Sequence, residues 1–387
     1  MISKEHKKHS QIARPSYGIF NRNEWAIVGS ADHVIRELAY AVIKELSPLY
    51  KCAYVGSGDE NNADITSGKL AAGSITEYNN HGNYHQFHFN KSFNRFGFRQ
   101  LFLDADLVLV NGNFQQTKAQ VIVVDNNTQT LLEQVLPNLT NVQLILITDH
   151  AMDSFDFVKQ EIPNWKELPV YRLSEMNKIT AFFQQQLEHA RPVMKGLVLA
   201  GGKSIRMGSD KGSISWHGKE QRYYMADLLQ NFCEEVYISC RHDQQDIIDT
   251  NYKKIEDSFT ELGPYGAILS AFREQPDCAW LVTACDMPFL DASALKYLTE
   301  QRKPSAMATT FESPQGGFPE PLITIWEPRS YPILLSMLSQ GYTCPRKALE
   351  NNDVCVLKPP HAGALINVNT PEEKETAKNI LNDATQD

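Results

Sequence analysis

The chain has 387 residues, more than one average core needs and suited to two domains of roughly 150–200 residues each. It carries 37 basic and 46 acidic side chains, and the resulting net charge of −9 argues against a broad basic surface for nucleic acid. Hydrophobic residues make up 42% and charged residues 21%, a balance that excludes a disordered chain.

Apolar runs in the chain are short, and its cysteines are scattered. Runs such as Leu107–Val110 and Val121–Val124 fall far below the ~20 residues that cross a bilayer. Residues 1–20 show no apolar signal region, and the seven cysteines include no Cys-x-x-Cys pair. We therefore expect a cytoplasmic protein with reduced thiols, no membrane partner and no nucleic-acid partner.

In the first half of the chain, short β-branched runs alternate with helical periodicity, which predicts a parallel α/β sheet. Strands are predicted at Trp25–Val28, Cys52–Val55, Leu107–Val110, Val121–Val124 and Leu144–Ile147. Helices are predicted at Ala31–Leu46 and Ser174–His189. The stretch Asp59–Asn83 is rich in Gly, Asn and Ser and predicts a loop.

Ala190-Arg191-Pro192 predicts a linker, because proline cannot continue a helix and restricts the residue before it. We expect a flexible N-terminus over residues 1–21 and domains over 22–190 and 194–387.

The second half again alternates strand and helix patterns. Strands are predicted at Gly196–Ala200, Val236–Ser239, Lys253–Ile255, Trp280–Thr283, Ala306–Thr310, Leu322–Ile325, Val354–Leu357 and Leu365–Val368. Helices are predicted at Arg222–Phe232, Tyr265–Arg273, Ala292–Gln301, Arg329–Ser339 and Pro371–Asn382. Thr370 and Glu373 predict a capping box at the start of the last helix.

A Gly-rich segment with cations follows the strand Gly196–Ala200. It reads Leu199-Ala200-Gly201-Gly202-Lys203-Ser204-Ile205-Arg206-Met207-Gly208-Ser209-Asp210-Lys211. Glycines let backbone N–H groups approach phosphate oxygens, and Arg206 and Lys211 can neutralise the same anion. A Gly-Gly pair by itself predicts a turn, but its position at a sheet edge beside two cations favours a phosphate-binding loop.

This segment resembles the signature of the nucleotidyltransferase family that includes molybdenum cofactor guanylyltransferase. Further segments resemble that family's motifs, in its order: Ile255-Glu256-Asp257-Ser258 with Gly263–Ile268, Cys285-Asp286-Met287-Pro288, Phe318-Pro319 to Trp326, and Asn367–Glu373. Over residues 194–387 the resemblance implies a doubly wound, Rossmann-like nucleotidyltransferase domain of the nucleotide-diphospho-sugar transferase type.

The resemblance also implies roles for particular residues. Catalysis is expected from Lys211, Arg206 and Asp286, with Asp286 as the Mg²⁺ ligand, because nucleotidyl transfer depends on positioning and charge neutralisation. Nucleotide contacts are expected from Leu199, Ala200, Gly201, Gly202, Lys211, Asp257 and Asp286. Acceptor contacts are expected from Asn367, Asn369 and Arg346.

Simpler interpretations exist for two of these residues. Asp257 fits the sequence equally well as a helix or turn cap, and Arg346 as part of a solvated helix face. Ile238-Ser239-Cys240-Arg241 stands where the family commonly has Asn-x-Asn before Arg, which leaves the choice of nucleotide base open.

Three functions are compatible with these motifs. The first is transfer of GMP from GTP to molybdopterin, with molybdoenzymes or other cofactor-assembly proteins as further partners. The second is a related nucleotidyl transfer that uses CTP or a sugar or polyol phosphate. The third is a non-catalytic, cofactor-binding adaptor, against which the intact Gly201, Lys211 and Asp286 set argues.

The first half has the placement of a P-loop without its chemistry. Trp25–Arg36 reads as strand, turn and helix, yet no Gly-Lys-Ser/Thr opens the helix. Asp106–Phe114 resembles a segment of the molybdopterin-guanine dinucleotide biosynthesis adaptor GTPases, with Asn111 in place of that family's Glu. The resemblance implies a degenerate P-loop-like α/β domain that neither hydrolyses nor tightly binds a nucleotide.

Overall fold

The computed structural model describes residues 12–58, 72–148, 156–201, 211–314, 316–368 and 370–383. The chain divides into two compact units, an N-terminal unit, Ser16–Ala190, and a C-terminal unit that contains Arg191–Asp387. Both are α/β structures. Across the described ranges, no helix has the length and apolar character needed to cross a membrane.

The described part of the N-terminal unit contains eight strands. They are β1 (Glu24–Val28), β2 (Cys52–Val55), β3 (Thr76–Asn80), β4 (His85–Phe89), β5 (Leu107–Asn111), β6 (Ala119–Val124), β7 (Val142–Ile147) and β8 (Val170–Arg172). Strands β3 and β4 form an antiparallel hairpin, while the others form a parallel sheet in the order β2-β5-β1-β6-β7-β8.

The helices of the N-terminal unit cover this sheet. They are α1 (Asp32–Leu46), α2 (Arg95–Leu101), α3 (Gln129–Val135), α4 (Asp156–Glu161) and α5 (Met176–His189). Helix α1 buries Ile35, Leu38, Val42 and Leu46, whose spacing gives one apolar face. Full burial of such a side chain stabilises the fold by roughly 1.5–3 kcal/mol, so this face positions α1 on the sheet.

Two expectations for the first half are wrong in part. The predicted loop 59–83 contains strand β3, which pairs with β4 in antiparallel register and places the Tyr78 ring against the Phe87 ring. Flexibility through residue 21 does not hold for its last residues, because the backbone N–H groups of Ile19, Phe20 and Asn21 donate to the buried Glu24 carboxylate.

The described part of the C-terminal unit contains seven strands. They are β9 (Met194–Leu199), β10 (Val236–Cys240), β11 (Lys253–Glu256), β12 (Ala279–Ala284), β13 (Ala308–Glu312), β14 (Pro319–Trp326) and β15 (Val354–Leu357). Their order is β11-β10-β9-β12-β14-β13-β15. Strands β9 to β12 are mutually parallel, and β14 is antiparallel to both of its neighbours, β12 and β13.

The helices of the C-terminal unit are α6 (Gln221–Leu229), α7 (Pro264–Glu274), α8 (Ala292–Glu300), α9 (Ser330–Ser339), α10 (Pro345–Glu350) and α11 (Pro371–Asp383). Apolar side chains fill both faces of the central strands, so β12 is buried along its whole length. The predicted capping box of α11 is confirmed: Thr370 N–H donates to Glu373 Oε2 at 3.1 Å, and Glu373 N–H donates to Thr370 Oγ1 at 3.2 Å.

The predicted strand Leu365–Val368 is wrong. A short 3₁₀ helix, Ala362–Leu365, occupies the start of this segment, and the chain then continues without regular structure. Leu365 and Val368 are buried, but the Val368 N–H donates to the Asp286 carbonyl at 2.8 Å instead of joining a strand. The apolar pattern indicated burial correctly and the type of backbone structure incorrectly.

Candidate active site

Most of the described site residues lie at the carboxyl edge of the parallel strands of the C-terminal unit. Gly201 follows β9, Arg241 follows β10, Asp257 follows β11 and Asp286 follows β12. Parallel strands end at the same edge of a sheet, and open α/β sheets bind ligands at that edge. The topology therefore gathers side chains that are up to 85 residues apart in sequence.

Asp257 and Gly201 are in close contact at this edge. A Cβ atom on Gly201 would lie 3.0 Å from Asp257 Oδ2, so a glycine here lets the backbone approach the carboxylate. Ser239 Oγ donates to Asp257 Oδ1 at 2.7 Å, and Arg241 Nη1 donates to the Gly201 carbonyl. Burial raises the pKa of Asp257 to about 6, although the Ser239 hydrogen bond and the Arg241 charge oppose that change.

The turn that carries Asp286 is held by two distant segments. Its three successive carbonyl groups accept hydrogen bonds, Asp286 from the Val368 N–H at 2.8 Å, Met287 from Gln221 Nε2 at 3.4 Å and Pro288 from His217 Nε2 at 2.9 Å. Gln221 and His217 come shortly after the Gly-rich segment, and Val368 belongs to the closing motif. Hydrogen bonds thus connect the segment after the Gly-rich motif, and the closing motif itself, to the turn that carries Asp286.

Asn367 and the unpredicted Glu320 also lie near this turn. Asn367 precedes Val368, and its Oδ1 is buried with no hydrogen-bond partner in the described structure. Glu320 is 5% exposed, and burial followed by the charge of Asp286 raises the pKa of its carboxyl group. The sequence signal for Glu320 was an acidic residue between Pro319 and Pro321, at the start of an apolar strand.

The other expected site residues divide into two groups. Leu199 and Ala200 lie at the end of β9 beside Gly201. Lys211 opens a 3₁₀ helix, Lys211–Ser213, whereas its side chain and the residues Gly202, Arg206 and Asn369 lie outside the described part.

Arg346 has local partners on and beside its own helix. Its Nε lies 3.2 Å from Glu350 Oε1 one turn along α10, and its guanidinium lies 4.6 Å from the centre of the Phe318 ring. These contacts favour the simpler interpretation of Arg346 as part of a solvated helix face. Its expected contact with an acceptor stays a prediction.

Residues 196–355 match the protein family described as "MobA-like NTP transferase domain". A bifunctional molybdenum cofactor biosynthesis protein of Synechocystis sp. is 35% identical over 46% of this chain and 52% of its own length. The molybdenum cofactor guanylyltransferase of Pseudomonas entomophila is 27% identical over 41% of this chain and 84% of its own length.

Among solved structures, molybdopterin-guanine dinucleotide biosynthesis protein A from Archaeoglobus fulgidus matches 49% of this chain and 100% of its own. Its sequence identity is 24% and the TM-score is 0.43. The present chain spans about half the length of the Synechocystis relative.

The fold, the carboxyl-edge site and the family match define the C-terminal unit as a nucleotidyltransferase domain. More particularly, residues 196–355 match the MobA-like NTP transferase domain, which confirms the resemblance inferred from the sequence motifs.

Proposed function

We propose that the C-terminal unit transfers GMP from GTP to a phosphate oxygen of molybdopterin. The acceptor oxygen forms a bond to the α-phosphorus as the bond to pyrophosphate breaks, so GTP and molybdopterin give the dinucleotide and pyrophosphate. The observation that carries this proposal is the meeting of Asp286 with the closing motif at the carboxyl edge of a MobA-like domain.

The roles of individual residues follow from their places at that edge. Gly201 lets the backbone approach the nucleotide, and the Asp257 carboxylate beside it can accept hydrogen bonds from the ribose or base. Arg206 and Lys211 would neutralise the triphosphate. Asn367, next to the Asp286 turn, would meet the acceptor together with Asn369.

The residues around Asp286 suit a divalent cation. Mg²⁺ prefers one or two carboxylates and completes its shell with water and substrate phosphates. In the described ranges no group of three or more His, Cys, Asp or Glu side chains forms a closed metal cage, while acceptor atoms such as Asn367 Oδ1 have no hydrogen-bond partner there. Mg²⁺ held by Asp286 would neutralise charge on the transferring phosphates.

Nucleotide turnover tests this function. The purified protein, Mg²⁺ and molybdopterin are supplied with GTP or CTP, and pyrophosphate release is measured. We expect product from GTP. Product from CTP but not GTP would replace guanylyl by cytidylyl transfer, and no product from either would support a non-catalytic adaptor.

The Asp286→Asn variant tests the metal ligand in the same assay. We expect turnover to be abolished while the circular dichroism spectrum is unchanged, because asparagine keeps the shape and removes the charge. An undiminished rate would remove Asp286 from the metal site.

For the N-terminal unit we propose a P-loop-like scaffold without nucleotide-binding function. Gly29 has a φ of +95° in the turn between β1 and α1, as a tight strand-to-helix turn requires. Asp32 lies in the first turn of α1, where a P-loop would place phosphate, and accepts hydrogen bonds from Asn113 Nδ2 at 2.9 Å and Ser57 Oγ at 3.1 Å. A carboxylate at this helix end repels a bound phosphate.

Equilibrium dialysis of the full chain tests the scaffold proposal. We expect one GTP bound per chain, with affinity that depends on Asp257 and not on Asp32. A second GTP bound per chain, or hydrolysis of GTP to GDP, would contradict the proposal.

A further inference from the structure

Glu320 reaches the carboxyl edge of the sheet because β14 runs against its neighbours. Strand β12 pairs with β14 in antiparallel register, with Thr283 opposite Ile323. The first residues of β14 therefore lie at the end of the sheet where β12 finishes and Asp286 follows. The effect of the Asp286 charge on Glu320 agrees with this placement.

Glu320 is a buried acid without a countercharge. It is 5% exposed and makes no ion pair in the described structure. The contact of its Oε1 with the Leu322 N–H, at 3.4 Å, is a long hydrogen bond. A buried carboxylate without a countercharge is unfavourable, and a cation held at the Asp286 turn would neutralise the Glu320 charge.

Two side-chain amide oxygens on the segments that hold the Asp286 turn have no hydrogen-bond partner in the described ranges and could bind a cation. Gln221 is completely buried, and its Oε1 has no hydrogen-bond partner in the described ranges, although its Nε2 reaches the Met287 carbonyl beside Asp286. Asn367 Oδ1, on the other segment that holds the turn, is also buried and has no hydrogen-bond partner in the described ranges. Oxygen atoms that accept and cannot donate are the ligands of hard divalent cations.

We propose that Glu320 is a second carboxylate that holds the divalent cation of Asp286. This inference rests on the proposed nucleotidyl transfer. The cation would have one ligand, Asp286, directly after the parallel strand β12 and a second ligand, Glu320, on the antiparallel strand β14. Glu320 is thereby a metal-binding residue, and it helps to hold the cation that would neutralise the transferring phosphates.

Mn²⁺ binding to the full-length protein tests this assignment without turnover. Free Mn²⁺ is measured by electron paramagnetic resonance during titration of the wild type, Glu320→Gln and Glu312→Gln. Glu312 is the control, because it is an acid on the neighbouring strand β13, pairs with Pro319 and is only partly buried. We expect at least tenfold weaker binding in Glu320→Gln and unchanged binding in Glu312→Gln.

Thermal unfolding separates a metal role from a structural one. Without metal, we expect the Tm of Glu320→Gln to equal or exceed that of the wild type, because a buried charge has been removed, and we expect the Mn²⁺-dependent rise in Tm to be lost. A lower metal-free Tm with unchanged Mn²⁺ affinity would show that Glu320 has a structural role and would overturn the inference.

The inference and the proposed function can fail separately. If the wild type turns over GTP while Glu320→Gln keeps its Mn²⁺ affinity, the Glu320 assignment is wrong and guanylyl transfer stands. If Glu320→Gln loses Mn²⁺ affinity but the wild type gives no dinucleotide, the metal site stands and the proposed reaction is wrong.

Discussion

Asp257, which we propose as a nucleotide contact, has a carboxyl group that is protonated more easily than usual. Its neighbours include Ser239, whose hydroxyl stabilises the charged form, together with the charged groups of Arg241 and Glu256. With a pKa of about 6, this acid changes charge just below neutral pH, which gives the site a property that can be measured.

GTP binding should weaken as the pH falls through 6. In the proposed site the ionised Asp257 carboxylate would accept hydrogen bonds from the nucleotide, and protonation would remove most of that capacity. We expect KM for GTP to rise below about pH 6 and to be constant above it. Ser239→Ala should move this transition to higher pH, because the Ser239 hydrogen bond lowers the Asp257 pKa.

The matched control for this pH dependence is Asp257→Asn. Its KM should be high at every pH and should keep only the dependence that arises from ionisation of GTP itself. An identical acid limb in Asp257→Asn and the wild type would assign the transition to another group.

Asp257 should also lower the stability of the free protein at neutral pH. Its folded pKa of about 6 exceeds the ordinary value of 3.8, so its favourable contribution is present below about pH 4 and is lost as the pH rises through 6. We expect Asp257→Asn to raise the free energy of unfolding at pH 7 by about 3 kcal/mol. Urea titrations at pH 4 and 7 should show this gain at pH 7 and not at pH 4.

At the scale of elements, the central strands were predictable because burial on both faces leaves continuous apolar runs such as Leu107–Val110 and Trp280–Val282. Strand β3 was missed because its residues, Thr76–Asn80, are largely polar and gain strand structure by pairing with β4. The apolar pattern of Leu365–Val368 predicted a strand. Its structure depends instead on the hydrogen bond to the Asp286 turn, a tertiary contact that a local pattern does not contain.

Residues of the candidate site were predictable where they belong to a motif that directly follows a predicted strand. Asp257 and Asp286 follow strands that the sequence indicates, and a shared sheet edge places them. Glu320 was missed, because its place beside Asp286 depends on the antiparallel direction of β14, which the sequence does not reveal. The roles of Lys211 and Arg206 stay predictions.

His217 should act as a positioning residue for the Asp286 turn. Its Nε2 donates to the Pro288 carbonyl, and its ring stacks on Tyr224 with the centroids 3.9 Å apart. His217→Phe keeps the stacking and loses the hydrogen bond, worth about 1 kcal/mol. We expect kcat to fall about fivefold to tenfold, Mn²⁺ affinity to fall with it, and KM for GTP to change little.

His217→Gln provides the comparison for this role, because its amide can donate to the same carbonyl. We expect it to recover part of kcat and of Mn²⁺ affinity. If the Phe variant equals the wild type in both measurements, the hydrogen bond of His217 does not position the turn.

At the scale of the whole molecule, each unit has its own sheet and apolar core, so unfolding should show more than one calorimetric transition. The C-terminal unit includes an ion pair between Arg302 and Glu327, whose side chains are 6% and 1% exposed. Arg302 Nη2 also donates to the Pro192 carbonyl at 2.9 Å, which fixes the start of the unit just after the predicted linker.

Arg302→Met should destabilise the C-terminal unit by about 3–5 kcal/mol, because it leaves the Glu327 charge buried without a partner. We expect scanning calorimetry to show one transition shifted down by roughly 2–4 °C per kcal/mol and the other unchanged. The double variant Arg302→Met, Glu327→Met should recover most of the loss. Equal shifts of both transitions would contradict independent unfolding of the two units.

The hydrogen bond from the Val368 N–H to the Asp286 carbonyl has a consequence for genetics. A stop codon between those for Leu365 and Val368 would leave every residue of β9 to β15 encoded and still release the turn of the proposed metal ligand. We expect such an allele to behave as a complete loss of function, although the whole sheet is still encoded.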